Sequence, residues 1–227
     1  MTIDELTQIY DEKRDEITAR LAEFTEIGRA ASDERLFEEL TFCIFTAASS
    51  ARMGLKSVES LRPVLMTGSK RQIQRALTSV HRWPRSRGAY VYETREYLRK
   101  HHGLGLKRGS GRQSGEGPGL RGLFSRLADS DLRRDFFAAN PGVRGLGYKE
   151  ASHYLRNVGF TGYAILDKHV LSRLAEFGVI DNPKPASTKA KYLGMEEKMK
   201  KFAEQIGINF DELDLLLWYT KTGEILK

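Results

Sequence analysis

The sequence predicts an all-α protein. Apolar residues recur at intervals of three and four through most of the chain, no segment shows strand-like alternation, and helix start and stop signals divide the pattern into short rods. At 227 residues, 40% hydrophobic and 30% charged, the chain can bury one globular core or two small ones.

The first helix is expected over residues 3–26. Others follow over 33–48, 57–66, 70–80 and 87–100, each with an apolar stripe at the 3.6-residue period. Between 101 and 121 the pattern fails. Gly103, Gly105, Gly109, Gly111, Gly115, Gly117 and Gly119 crowd a stretch that also holds Lys107, Arg108 and Arg112. This Gly-rich basic segment is expected to be a flexible loop, either tracking phosphates without reading sequence or forming a solvated insertion. Helix resumes over 125–139 and stops at Asn140-Pro141-Gly142, because proline lacks a donor and glycine tolerates positive φ.

The next residues are the most informative. Val143-Arg-Gly-Leu-Gly-Tyr-Lys149 reads as a hairpin between two helices, the second running over 149–157 and ending near Gly159. Gly145 and Gly147 let the backbone approach a ligand closely, and a helix N-terminus behind their amides favours an anion such as a phosphate. Lys149 sits in the first turn of that helix, where the dipole disfavours a cation. The same field, with partial burial, favours the neutral amine. A neutral amine is a nucleophile toward carbonyl and sugar C1′ centres. Taken alone, the lysine also reads as an ordinary surface residue.

Asp167 opens the helix expected over 167–177, where a carboxylate is a good N-cap. His169 follows two positions later and reads equally as a packing residue. After a break at 182–187, Tyr192, Met195, Met199, Phe202 and Ile206 step by three and four along a further helix. The last helix begins at the N-cap Asn209, with Glu212 as the expected capping-box partner, carries Leu213, Leu216, Leu217 and Trp218, and ends at Thr222-Gly223.

Bulk properties narrow the classes. Lysine plus arginine number 37 against 30 acidic residues, a formal charge of +7 that favours polyanion partners. The single cysteine, Cys43, rules out an intramolecular disulfide and a four-cysteine iron–sulfur cluster, and its apolar helical setting reads as core packing. No apolar run is long enough to span a bilayer, and residues 1–6 lack signal-peptide features, so an intracellular protein is expected. The isolated histidines have no metal-ligand spacing, and no metal chemistry is assigned.

The segment Gly145-Leu-Gly-Tyr-Lys-Glu-Ala-Ser-His-Tyr-Leu-Arg-Asn-Val-Gly159, followed by Ile165-Leu-Asp-Lys-His169, resembles the helix-hairpin-helix/Gly-Pro-Asp superfamily of DNA glycosylases. Within it, the chain is similar to the type 2 branch of 8-oxoguanine DNA glycosylase/lyases of archaea and bacteria. Residues 36–54 and the terminal Trp218 and Lys227 extend the likeness.

The resemblance implies two helical lobes, one over 32–165 that contains the helix-hairpin-helix (about 131–158), the other formed by 1–31 with 166–227. The hairpin and Asp167 are then expected at the mouth of the cleft between them. It implies a DNA N-glycosylase/AP lyase of base excision repair that removes 8-oxoguanine through a Lys149 Schiff base and then cuts the strand by β-elimination. Asp167 would stabilise the sugar cation and help move the lysine's proton. Gly145, Gly147 and His169 would hold DNA phosphates, Trp218 would stack on the extruded base, and the carboxylate of Lys227 would read the N7 proton of 8-oxoguanine. Core packing remains the other reading of Trp218. The residues at 82–88 depart from the family pattern and leave a second stacking partner unassigned. The resemblance implies no required cofactor, a sodium or potassium ion at the hairpin, and a monomer acting on double-stranded DNA in the cytoplasm of a prokaryote, at the nucleoid. Two other readings stand beside this one: a glycosylase/lyase for a different damaged base, and a non-catalytic helix-hairpin-helix module that only grips DNA.

Overall fold

Every regular element is a helix among the residues described by the computed structural model, 1–106 and 118–226. The elements are α1 (Ile3–Ala30), α2 (Asp33–Thr46), α3 (Ala51–Leu61), α4 (Lys70–Ala76), α5 (Pro84–His102), α6 (Gly119–Arg126), α7 (Ser130–Ala139), α8 (Tyr148–Asn157), α9 (Lys168–Glu176), α10 (Lys189–Ile206) and α11 (Phe210–Thr222). They form two units, Ala30–Tyr154 and the pair Met1–Arg29 with Leu155–Lys227.

In the unit Ala30–Tyr154, α2 is the central rod. Leu36, Phe37, Leu40, Phe42, Cys43, Ile44 and Phe45 are all buried there, and α3, α5 and α6 pack around it. Phe124, Phe136, Phe137 and Tyr154 make an aromatic cluster, with the Phe137 and Tyr154 rings 4.8 Å apart, edge to face. That cluster fixes α7 against α8 at Tyr154, and these two helices flank the hairpin. In the other unit, α11 packs on α9 and α10, and α1 meets the chain just after α8. A Cβ on Gly28 would lie 2.2 Å from the carbonyl oxygen of Val158, so only glycine admits this approach.

Several expected boundaries move, each for a local reason. The third helix starts at Ala51 rather than 57 because Ser50 caps it, accepting from the Met53 amide at 3.2 Å, and it ends just before Pro63. The stretch 125–139 is two helices, because Asp129 caps α7 by accepting from the amides of Asp131 and Leu132. The loop expected over 101–121 is narrower: His101 and His102 belong to α5, and Gly119–Arg121 open α6. Its central residues, 107–117, lie outside the described residues. Glu212 is not a capping-box partner. Asn209 caps α11 alone, through the Asp211 and Glu212 amides, while the Glu212 carboxylate accepts from the Tyr10 hydroxyl. The boundary between units falls between Tyr154 and Leu155 rather than at 165, since Val158 and Gly159 lie directly on Phe24, Thr25 and Gly28 of α1.

Candidate active site

The residues singled out from the sequence fall into two groups, one in each unit. The first is the hairpin between α7 and α8. Asn140 ends α7 and folds the chain back. Its side-chain oxygen accepts from the Gly142 amide at 2.9 Å, its carbonyl from Val143 at 3.0 Å, and its amide nitrogen donates to the Tyr97 hydroxyl. The Arg144 amide donates to Thr94 Oγ1 at 2.8 Å, tying the turn to α5. Gly145 then takes φ +83°, and a Cβ there would lie 2.5 Å from the Tyr90 ring. Only glycine satisfies both constraints. Gly147 is different. It has no positive φ, and its nearest neighbour in the Cβ direction is Glu150 Oε2 at 3.4 Å.

Gly147 is the N-cap of α8, its carbonyl accepting from Ala151 at 2.9 Å. Among the described residues, the amides of Gly145 and Leu146 donate to no protein acceptor. The helix therefore begins behind a turn whose N–H groups remain available to an anion. Tyr148 opens the helix, and its hydroxyl donates to Asp135 on α7. Lys149 is the second residue of α8, still in the first turn, with its side chain 26% exposed. Its Nζ lies 2.9 Å from Glu150 Oε1, a neighbour that the sequence reading did not include.

The second group lies in the other unit. Asp167 is the N-cap of α9: its Oδ1 accepts from the His169 amide at 2.8 Å and the Val170 amide at 2.9 Å. Its Oδ2 has no hydrogen-bond partner among the described residues. The capping reading thus holds and still leaves one carboxylate oxygen open. The His169 ring stands edge-on to Trp218, centroids 6.5 Å apart. Trp218 is half-buried, whereas Leu215, Leu216 and Leu217 beside it are fully in the core, so the indole lies at the margin of the α11 packing face. Lys227 lies outside the described residues.

Asp167 is delivered by an irregular strap over residues 160–166, and the devices that hold it were not visible in the sequence. Asp211 Oδ1 accepts from the Gly162 amide, Glu196 Oε2 from Ala164 and Asp214 Oδ1 from Ile165, each at 2.8 Å. The Tyr192 hydroxyl donates to the Ala164 carbonyl at 2.6 Å. Asp214 is fully buried and pairs with Arg156 at 2.7 Å. Burial pushes its carboxyl up to about 7, against the pull of Arg156 and the Ile165 amide. No group of histidine, cysteine and acidic side chains suited to a divalent metal occurs among the described residues. No helix among them is long and apolar enough to cross a membrane.

An all-helical chain with an open-amide glycine hairpin and a lysine in the first turn of the following helix defines the class, that of the helix-hairpin-helix proteins. The model of the 8-oxoguanine DNA glycosylase family matches residues 17–208. The 8-oxoguanine DNA glycosylase/AP lyase of Korarchaeum cryptofilum is 38% identical over 94% of this chain and 91% of its own length. Among solved structures, the 8-oxoguanine DNA glycosylase of Thermotoga maritima matches with a TM-score of 0.81 and 31% identity, over 99% of this chain and 98% of the other. The 8-oxoguanine glycosylase/lyase of Methanocaldococcus jannaschii, solved with a DNA 15mer containing 8-oxoguanine, also reaches 0.81, at 29% identity and 99% of both chains. This chain belongs to the 8-oxoguanine DNA glycosylase family.

Proposed function

We propose that this protein removes 8-oxoguanine from double-stranded DNA and then cuts the strand at the resulting abasic site, as a bifunctional glycosylase/AP lyase of base excision repair. One observation carries the reading: in a member of this family, the lysine lies directly behind a hairpin whose amides are open to a phosphate.

The damaged base must leave the duplex stack before its sugar can be reached. Gly145, Gly147 and the start of α8 hold the DNA backbone beside the lesion, with His169 as a second phosphate contact. The Lys149 amine, after losing its proton, bonds to C1′ as the bond from C1′ to the base breaks and the base departs with that electron pair. Asp167 offers Oδ2 to the positive charge that develops on the sugar, and to the proton that leaves Lys149. Ring opening gives an imine between Nζ and C1′. Loss of a C2′ proton from the imine then expels the 3′ phosphate, which is the lyase step. Trp218 supplies the stacking face for the base, and Lys227 its hydrogen-bonding contact.

No cofactor enters this chemistry. A sodium or potassium ion at the hairpin suits an oxygen donor set, and the carbonyls of residues 143–146 accept no hydrogen bond among the described residues. The working form in this reading is a monomer at the nucleoid of a prokaryotic cytoplasm; the bacterial and archaeal relatives support the cytoplasmic setting.

The test is one set of incubations with duplexes carrying 8-oxoguanine, uracil or undamaged guanine. Cleavage at 8-oxoguanine alone, abolished in Lys149→Gln, is the expected result. Preference for another base would change the substrate, and retained cleavage in the variant would remove Lys149 from its role.

A further inference from the structure

We propose that Glu150 is a positioning residue that links occupancy of the hairpin to the state of the Lys149 amine. The inference rests on Lys149 being the nucleophile.

One carboxylate makes both contacts. Oε2 accepts from the Gly147 amide at 3.1 Å, and Oε1 lies 2.9 Å from Lys149 Nζ. The first contact is half of an ordinary capping arrangement, in which an acid three residues into a helix reaches back to the N-cap amide. The second is not ordinary. Adjacent helical residues project about 100° apart and do not normally face each other, so the lysine must fold back over the start of α8 to reach its neighbour. Both side chains are largely covered, Glu150 at 13% and Lys149 at 26% exposure. The amine is thus held at the mouth of the hairpin instead of extending into solvent.

The Gly147 amide is also one of the groups that an incoming phosphate would use. The Glu150 carboxylate accepts from it, while the Gly145 and Leu146 amides beside it donate to no protein acceptor among the described residues. A phosphate docking on the turn therefore meets the negative charge of Glu150, and it competes for the Gly147 N–H. Displacing that carboxylate also takes from the Lys149 amine its ion-pair partner at 2.9 Å and frees the side chain to move. Arg87 of α5 is a further cation that Glu150 acts on electrostatically. Arg87 also donates to the Ala47 carbonyl at 2.6 Å, and it remains as a counter-ion when Lys149 swings away. DNA docking and release of the nucleophile then become one event.

Borohydride trapping on a duplex with a preformed abasic site, followed from pH 5 to 9, tests this. Glu150→Gln keeps an acceptor for Gly147 and removes the charge. The pH of half-maximal trapping is expected to fall by on the order of half a pH unit, and binding to undamaged duplex at low salt to tighten several-fold. Glu150→Asp keeps the charge and is expected to stay close to the wild-type profile. A wild-type profile for Glu150→Gln would reduce Glu150 to a helix cap and overturn the proposal. So would equal shifts in both variants, because lost packing rather than lost charge would then be the cause. Lys149→Gln is run alongside: trapping that survives in it refutes the nucleophile assignment itself, a failure distinct from an unmoved Glu150 profile.

Discussion

The two segments that carry the candidate residues are built in opposite ways. The hairpin that leads to Lys149 leaves the Gly145 and Leu146 amides open, and it sits in a unit whose sequence, residues 30–154, has 22 basic against 12 acidic residues. The strap that leads to Asp167 spends its amides internally, on Asp211, Glu196 and Asp214. Its unit, residues 1–29 with 155–227, has 15 basic against 18 acidic residues. An excess of cations around unpaired amides suits a segment that receives an anion from outside. Buried and half-buried carboxylates on paired amides suit a segment that must hold one side chain still without a helix or a sheet to support it. The overall charge of +7 conceals this division, since the basic excess belongs entirely to the hairpin's unit.

The largest effect is expected where the strap is cut. Asp214→Ala leaves the Arg156 charge buried without its 2.7 Å partner and strips the Ile165 amide of its acceptor. Breaking a buried pair in this way costs about 3–5 kcal/mol, readable as a lowered denaturant midpoint. A loss below about 1 kcal/mol would show that the strap is held by other means.

The hairpin is expected to be more tolerant, and unevenly so. Gly145→Ala combines an unfavourable φ with a clash against Tyr90 and is expected to cost about 1–3 kcal/mol. Gly147→Ala has room and an ordinary φ, and its cost is expected to stay below about 1 kcal/mol. Equal costs measured by thermal unfolding would mean that the turn relaxes and that Gly145 does not set its shape.

A pH dependence is expected at the carboxylate that anchors the strap from α11. Asp214 keeps its proton up to about 7 in the folded chain, because it is buried, while in the unfolded chain it returns to the ordinary carboxylate range. Between these values the folded state binds more protons, so the stability contributed by this group is present at acid pH and lost as pH rises towards 7. The melting temperature of wild type minus that of Asp214→Asn is therefore expected to fall from pH 5 to pH 8. A constant difference would place the titration elsewhere.

Much of the hairpin was legible because its punctuation is chemical: Asn140, Pro141 and Gly142 stop a helix, and a lysine at a helix start stands out against the dipole. Asp167 was legible as a cap for the same reason. What the sequence concealed depends on distance and direction. Asp214, Asp211 and Glu196 look like ordinary polar positions on helices, and the amides they hold lie 32 to 49 residues away. Gly145 and Gly147 look alike in the sequence, yet only one has positive φ. Glu150 was passed over because adjacent residues on a helix do not normally meet. The misplaced start of α3 has a similar origin: residues 47–51 are small and aperiodic, Ala48 adopts φ +61° to end α2, and Ser50 then caps the next helix.

The most direct test of the central claim is to find the residue that bonds to DNA. Wild-type protein is trapped with borohydride on an 8-oxoguanine duplex, digested, and the DNA-bearing peptide mapped by mass spectrometry. The modified side chain is expected to be Lys149, with no adduct in Lys149→Gln. A cross-link at any other residue, or one that persists in that variant, would contradict the account.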